Sequence, residues 1–223
     1  MSNDARQCAT DRRGEEQVTS TGRRYAGLST EQRTQARRAA VLEAALDLFG
    51  TAGYPATSVK QVCRAAGLTE RYFYESFTDR EDCLAKLYDQ LAGEMYAATL
   101  ASIAAAGPDV DEIARAGLDG FVRYLTDDPR RARVVLVEVV GVSPGMEERR
   151  HAVLRDYSEV VTATWGAAEA RPMDTADRLT TVALVGGVNH LLVNWLMTGS
   201  QESPGELVDV CARLFSAARG ALD

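Results

Sequence analysis

The segment Thr57–Arg80, TSVKQVCRAAGLTERYFYESFTDR, constrains the fold of this chain more than any other. Val59, Val62, Cys63 and Ala66 recur at i, i+3, i+4 and i+7, which gives a short helix one apolar face. Thr57 and Ser58 precede it as N-caps. Gly67 follows, where a tight turn needs a residue that accepts positive φ. Leu68 plugs the turn, and Thr69 is placed to cap a second helix whose inward pair is Phe73 and Phe77. Glu70, Arg71, Tyr72, Tyr74 and Ser76 fall on the outward side. Two short helices joined by a glycine turn, the second polar and aromatic on its outer face, form the geometry that places a helix in a DNA major groove.

The order TSVKQV-x3-AGLT-x4-Y-x2-F-x2-R resembles the DNA-binding domain of the TetR family of bacterial transcriptional regulators (TetR/AcrR-like), at motif level from Thr30 to Leu87. The remainder matches only in length and helical character. The resemblance implies an all-α fold: an N-terminal three-helix DNA-binding domain with the helix-turn-helix, then a helical ligand-binding and dimerisation domain. It implies phosphate contacts from Tyr74 and Arg80. It also implies a homodimer whose last two long helices form a four-helix bundle with those of the second subunit, and a repressor of a palindromic operator released by a small-molecule effector. An activator or a ligand-independent DNA-binding factor remains an alternative. Arg71 stands where the family often has Gly or Pro, and Tyr72 replaces a small hydroxyl residue, so base preference is not inherited from a familiar member.

The residue types suggest how such a motif would read DNA. Thr57 or Ser58 donates to phosphate, and Lys60 reaches phosphate or a base edge. Arg71 can fork onto guanine O6 and N7, and Tyr72 can pack on a thymine methyl. Glu70 either accepts from a cytosine amino group or stabilises the helix N-terminus, the second being favoured.

Charge supports confining DNA to one end. The net charge is −7, yet residues 1–80 hold 12 Lys+Arg against 10 Asp+Glu, and residues 81–223 hold 13 against 22. A body with 22 acids against 13 cations repels DNA, so contact belongs to the N-terminal end. Residues 1–28 are poor in large apolar residues and read as a disordered tail. Five arginines there can graze DNA, although four acids in the same stretch favour a solvated extension. The boundaries expected are 1–28 tail, 29–80 DNA-binding domain and 81–223 ligand-binding and dimerisation domain.

Helices are predicted over 30–52, 80–106, 110–126, 130–141, 145–170, 174–199 and 204–221, besides the two of the motif, with breaks at Gly and Pro. Val134–Val140 is β-branched enough for a strand, but it has no partner strand and is read as a buried helix. Candidate lining residues for an effector pocket are Tyr88, Leu91, Met95, Phe121, Tyr124, Leu125, Trp165, Asn189, His190 and Trp195. Asn189, His190 and Asn194 are polar on an otherwise apolar helix and need partners. For the dimer interface the candidates are Gly186, Gly187, Leu191, Leu207, Val210 and Leu214, the glycine pair permitting close helix approach. Uncharged Leu179–Gln201 is long enough to span a bilayer, but its polar residues and lack of a basic flank favour a core or interface helix.

Four cysteines without C-x-x-C spacing and two histidines offer no metal site, and no cofactor motif is present. No phosphate loop or evident nucleophile–base pair argues for an enzyme. The first 28 residues carry no apolar leader segment, so a reduced, cytoplasmic protein with no membrane partner is expected.

Overall fold

The computed structural model describes residues 29–199 and 201–221, which are helical with no strand among them. The elements are α1 (Thr30–Thr51), α2 (Val59–Ala65), α3 (Glu70–Tyr74), α4 (Arg80–Ala104), α5 (Val110–Thr126), α6 (Pro129–Arg133), a π-helix (Val134–Glu138), α7 (Pro144–Glu169), α8 (Thr175–Met197) and α9 (Pro204–Gly220). Side-chain caps set most helix starts. Ser29 with Gln32, Ser58 with Gln61, Asp174 with Asp177 and Ser203 with Glu206 form reciprocal capping boxes. The predicted tail 1–28 lies outside the described residues.

The first three helices close around one small core. Val41, Ala45 and Phe49 of α1 meet Val62 and Cys63 of α2 and Phe73 and Phe77 of the second motif arm, all buried. Gly67 takes φ 67°, the left-handed conformation the turn required. Cys83, Leu84 and Leu87 on the first turns of α4 complete this core. The same helix then carries Tyr88, Leu91 and Met95 into the second core. At 1.5 Å per residue its 25 residues span about 37 Å, enough to run through both layers. There α5 packs on α4 and α9, and α7 packs on α8.

The β-branched run resolves as a continuation of α6 rather than a strand. Val134, Val135, Leu136 and Val139 are buried, and residues 134–138 form a π-turn, the wide turn in which each N–H bonds five residues back. Glu138 closes this turn and reaches the DNA-binding layer. One carboxylate oxygen accepts from the Tyr54 N–H at 2.7 Å, and the other accepts from Arg133 Nε at 2.8 Å. Arg133 Nη1 also donates to the Thr51 carbonyl at 3.0 Å. Beside it α1 and α6 touch backbone to backbone: a Cβ at Gly50 would stand 2.5 Å from Cβ of Arg130, so only glycine fits.

Helix α8, read from the sequence as a core or interface helix, is only partly covered within the chain. Val188, Leu192 and Trp195 face the core, while Leu179, Val182, Gly186, Gly187, His190, Asn194 and Met197 form an exposed stripe at helical spacing. It is the one described helix long and apolar enough to cross a membrane by length and composition, with 22% of its apolar window buried.

Removal of the Glu138 carboxylate leaves the Tyr54 N–H and the Arg133 guanidinium without their acceptor. Glu138→Ala should cost about 2 kcal/mol of stability, measured by urea denaturation at neutral pH. A loss under about 0.5 kcal/mol, the range of ordinary surface substitutions, would show that the contact between the layers does not depend on it.

Candidate DNA-reading face and effector cavity

The second motif helix, α3, is held to α1 by charge and by stacking. Arg37 pairs with Glu75 at 3.2 Å and lies over the Tyr72 ring at 4.6 Å. Arg38 lies over Phe77 at 5.0 Å. Arg71 has 85% of its side chain exposed and is tethered only by Glu75 at 3.6 Å. Tyr74 is 55% exposed, and Lys60, Thr69 and Glu70 are exposed as well. Ser76 is half-buried. The Thr69 side chain stands at the N-cap position but makes no cap hydrogen bond, contrary to its expected capping role; its hydroxyl is left on the surface.

Several predicted DNA contacts are occupied within the fold. Thr57 is buried and its hydroxyl donates to the Gly53 carbonyl at 2.8 Å. Ser58 Oγ caps α2 and donates to Gln61 Oε1 at 2.7 Å. Tyr72 is half-buried beneath Arg37 rather than directed wholly outward. Arg80 Nη1 donates to the carbonyls of Thr57 at 2.6 Å and Tyr54 at 3.2 Å, and its guanidinium stacks 4.2 Å above the Tyr54 ring. Arg80 is thus a clamp that joins the first turn of α4 to the loop before α2. Sequence reading missed Arg37 and Arg38 as organisers of the reading helix. Their signal was a cationic pair on α1, but their aromatic partners lie about 35 to 40 positions away in the chain.

The second site is a cavity of about 90 Å³, open at its mouth, among α4, α5, the π-helix, α7, α8 and α9. Tyr88, Met95, Phe121, Trp165 and Asn189 line it as expected. The other five predicted residues do not. Leu91 and Leu125 are packed in the core. The Tyr124 hydroxyl donates to Glu94 at 2.7 Å, with Arg131 stacked on its ring. Trp195 Nε1 donates to the Glu202 carbonyl at 2.9 Å, which directs the indole to the α8–α9 loop, and His190 is on the exposed stripe. The wall that sequence reading missed belongs to α7. Arg150, Val153, Leu154, Tyr157 and Val161 recur at helical spacing ahead of the predicted Trp165 and face inward. Val135 and Leu136 of the π-helix close the floor, one turn from Glu138. The Tyr157 hydroxyl shares a hydrogen bond with Thr99 at 3.3 Å, and burial raises its phenol pKa.

For the predicted interface, Gly186 and Gly187 are exposed, and a Cβ at either would meet nothing within 4 Å. Val210 and Leu214 of α9 are exposed and Leu191 is half-buried. Leu207 is a correction: it is buried in the chain's own core. Leu179 at 64% and Met197 at 70% exposure extend the apolar surface beyond the predicted set.

Comparison with known proteins agrees with this architecture. Residues 41–87 match the model of bacterial regulatory proteins of the tetR family. The chain is 25% identical over 175 residues to the HTH-type transcriptional regulator AcrR of Shigella flexneri, covering 75% of this chain and 81% of that protein. The fold is similar to the fatty acid degradation regulator FadR of Bacillus halodurans, at 21% identity, TM-score 0.71, and coverage of 80% and 94% of the two chains. It is similar also to the transcriptional regulator FadR of Bacillus subtilis, solved in complex with stearoyl-CoA, at 17% identity, TM-score 0.71, and coverage of 81% and 98%. Residues 41–87 thus form the DNA-binding domain of the tetR family of bacterial regulatory proteins. The chain as a whole has the architecture of a TetR/AcrR-type transcriptional regulator.

Loss of the Arg80 clamp acts on folding before it acts on DNA. Arg80→Ala should lower the stability of the N-terminal layer by about 1–2 kcal/mol, from two hydrogen bonds and a cation–π contact. Thermal melting of the free protein checks this; an unchanged melting temperature would return Arg80 to a role at the DNA surface alone.

Proposed function

We propose that the chain is an effector-responsive repressor that binds a palindromic operator as a homodimer in the cytoplasm and is released by a small, largely apolar molecule. The proposed division places the reading head at residues 29–80 and the effector and dimer domain at 81–223. The observation that carries this reading is the continuity of α4. Arg80 at its start grips the helix-turn-helix, and Tyr88, Met95, Thr99 and Ile103 further along line the cavity. A molecule that contacts those residues acts on the helix to which the reading head is clamped. The π-helix supplies a second connection, with Val135 and Leu136 on the cavity and Glu138 on the Tyr54 amide. A ligand changes operator affinity only through its differential affinity for the two arrangements of these parts. A hundredfold effect needs about 2.7 kcal/mol of coupling, within the usual range for allosteric proteins.

DNA contact is assigned to the groups the fold leaves exposed: Lys60, Thr69, Arg71 and Tyr74, with Glu70 at the start of α3. Thr57, Ser58 and Arg80 support them by fixing the loop and helix starts. The exposed stripe of α8 with Val210 and Leu214 of α9 is assigned to the second subunit. Polar His190 and Asn194 within that stripe favour a protein partner over lipid, because hydrocarbon cannot satisfy their hydrogen bonds.

Arg71→Ala should relax discrimination at one base pair per half-site by about 1–3 kcal/mol. Lys60→Ala should weaken all operator variants alike and reduce the salt slope of binding by about one. Fluorescence anisotropy on a panel of single-base operator variants separates the two; a uniform loss for Arg71→Ala would make it a phosphate contact only. Light scattering should give about twice the 24.2 kDa chain mass, and Leu179→Glu should shift it to the monomer. A wild-type monomer at micromolar concentration would remove the α8–α9 interface from this account.

A further inference from the structure

The walls of the cavity are almost wholly apolar, and Arg150 is their one charged residue. Its position at the start of α7 is fixed through a single nitrogen: Nε donates to Glu147 at 3.2 Å. Glu147 is itself held by the Gly141 N–H at 2.8 Å, and these two donors keep its carboxyl below the ordinary value. The terminal nitrogens of Arg150 make no hydrogen bond with any described residue, although the side chain is only 23% exposed. A guanidinium held at Nε with its fork unengaged beside an apolar cavity is a preorganised receptor for an oxyanion.

Tyr88 supplies an independent observation. It lines the same cavity, is 2% exposed, and its hydroxyl makes no hydrogen bond with a described residue. Protein atoms do not seal it in, since Arg219 Nε is the one fully enclosed side-chain polar atom without a partner among the described residues. Tyr88 lines the cavity, so the cavity is where a partner for this hydroxyl can enter. A buried hydroxyl without a partner costs stability unless something in the cavity pairs with it. Burial pushes the Tyr88 phenol up to about 12, and the nearby Arg150 charge opposes that rise, so the phenol stays a donor at neutral pH beside a cation.

The two groups lie near the starts of α4 and α7, whereas Ile103, Ile113 and Phe215 line the cavity further from the reading head. Residue 103 is 15 positions beyond residue 88, about 22 Å along the helix axis.

We infer that the effector is an anionic amphiphile: its acidic head pairs with Arg150 and Tyr88 at the end of the cavity nearest the DNA-binding layer, and its hydrocarbon body lies along Met95, Thr99 and Ile103. This rests on the reading of the cavity as the effector site and adds the sign of the charge and the direction of the ligand. The head then bears on α4 two turns from the Arg80 clamp.

The test compares alkyl compounds of equal length and different head charge: dodecanoate, dodecanol, dodecyltrimethylammonium and dodecanoyl-CoA, each below its aggregation concentration. Binding to the full chain is followed by Trp165 fluorescence in a Trp195→Phe background, with thermal melting as the check on folding. Dodecanoate is expected to bind about tenfold tighter than dodecanol, the size of one charge-assisted hydrogen-bonded pair. Arg150→Gln and Tyr88→Phe should each lower the ratio of dodecanoate to dodecanol affinity most of the way to one, and Arg150→Lys should restore part of it. Equal binding of dodecanoate and dodecanol, unaffected by Arg150→Gln, would overturn the head-group assignment and leave the apolar cavity intact. Preferred binding of the cation, or of the thioester without dependence on Arg150, would overturn it as well. Failure of all four compounds to bind or to raise the melting temperature would count against the effector cavity itself, and the inference would fall with it.

Discussion

Glu138 joins the two layers of this molecule. Its carboxylate is nearly inaccessible, and its hydrogen bonds cross from the π-helix to the Tyr54 amide, with Arg133 bridging to the end of α1. A buried carboxylate in that place is costly unless every partner stays in position. The arrangement of α1 against α6 is therefore defined rather than sliding, and the close approach at Gly50 narrows it further. The Arg80 clamp does the same from the other side by tying α4 to the Tyr54 and Thr57 carbonyls. Both connections converge on residues 53–57, the loop that leads into the helix-turn-helix. A displacement of either the π-helix or α4 thus reaches the reading head through one short segment.

The cavity lies where both connections can be felt. Its α4 wall is continuous with the Arg80 helix and its floor is the π-helix that ends in Glu138. Packed interiors shift between discrete arrangements rather than deforming smoothly, so occupancy of the cavity is suited to moving such elements as units. The exposed stripe on α8 is of a different kind. It is apolar in the single chain, flat at Gly186 and Gly187, and continues onto α9. Under the dimeric reading, the second subunit fixes the spacing of two reading heads, and displacement within each subunit becomes a change in that spacing.

Local signals were the legible ones. Caps, Gly67, and the Pro and Gly breaks placed nearly every helix, because those features act over three or four residues. The core face of α2 and the Phe73–Phe77 pair followed from periodicity for the same reason. What escaped depends on distant partners. Nothing near Arg80 reveals that the carbonyls of Tyr54 and Thr57 will take its hydrogens, and nothing near Tyr72 reveals Arg37. Trp195 and Tyr124 carried the right composition for a ligand wall, yet each is turned aside by a polar group on another element. The α7 wall was different, since its inward residues repeat at helical spacing and were open to sequence reading. Among the polar trio on α8, one step of helix rotation separates Asn189 in the cavity from His190 outside, a distinction that needs the packing of the whole domain.

The central claim is that filling the cavity alters the contact between the π-helix and the loop before α2. Hydrogen exchange at the Tyr54 amide measures that contact itself, because this N–H donates to Glu138. With an effector identified by thermal-shift screening at saturation, exchange at Tyr54 should accelerate by about tenfold as the α7 and α4 cavity walls gain protection. Unchanged exchange at Tyr54, with protection gained only around the cavity, would contradict the account and leave the cavity uncoupled from the DNA-reading head through Glu138.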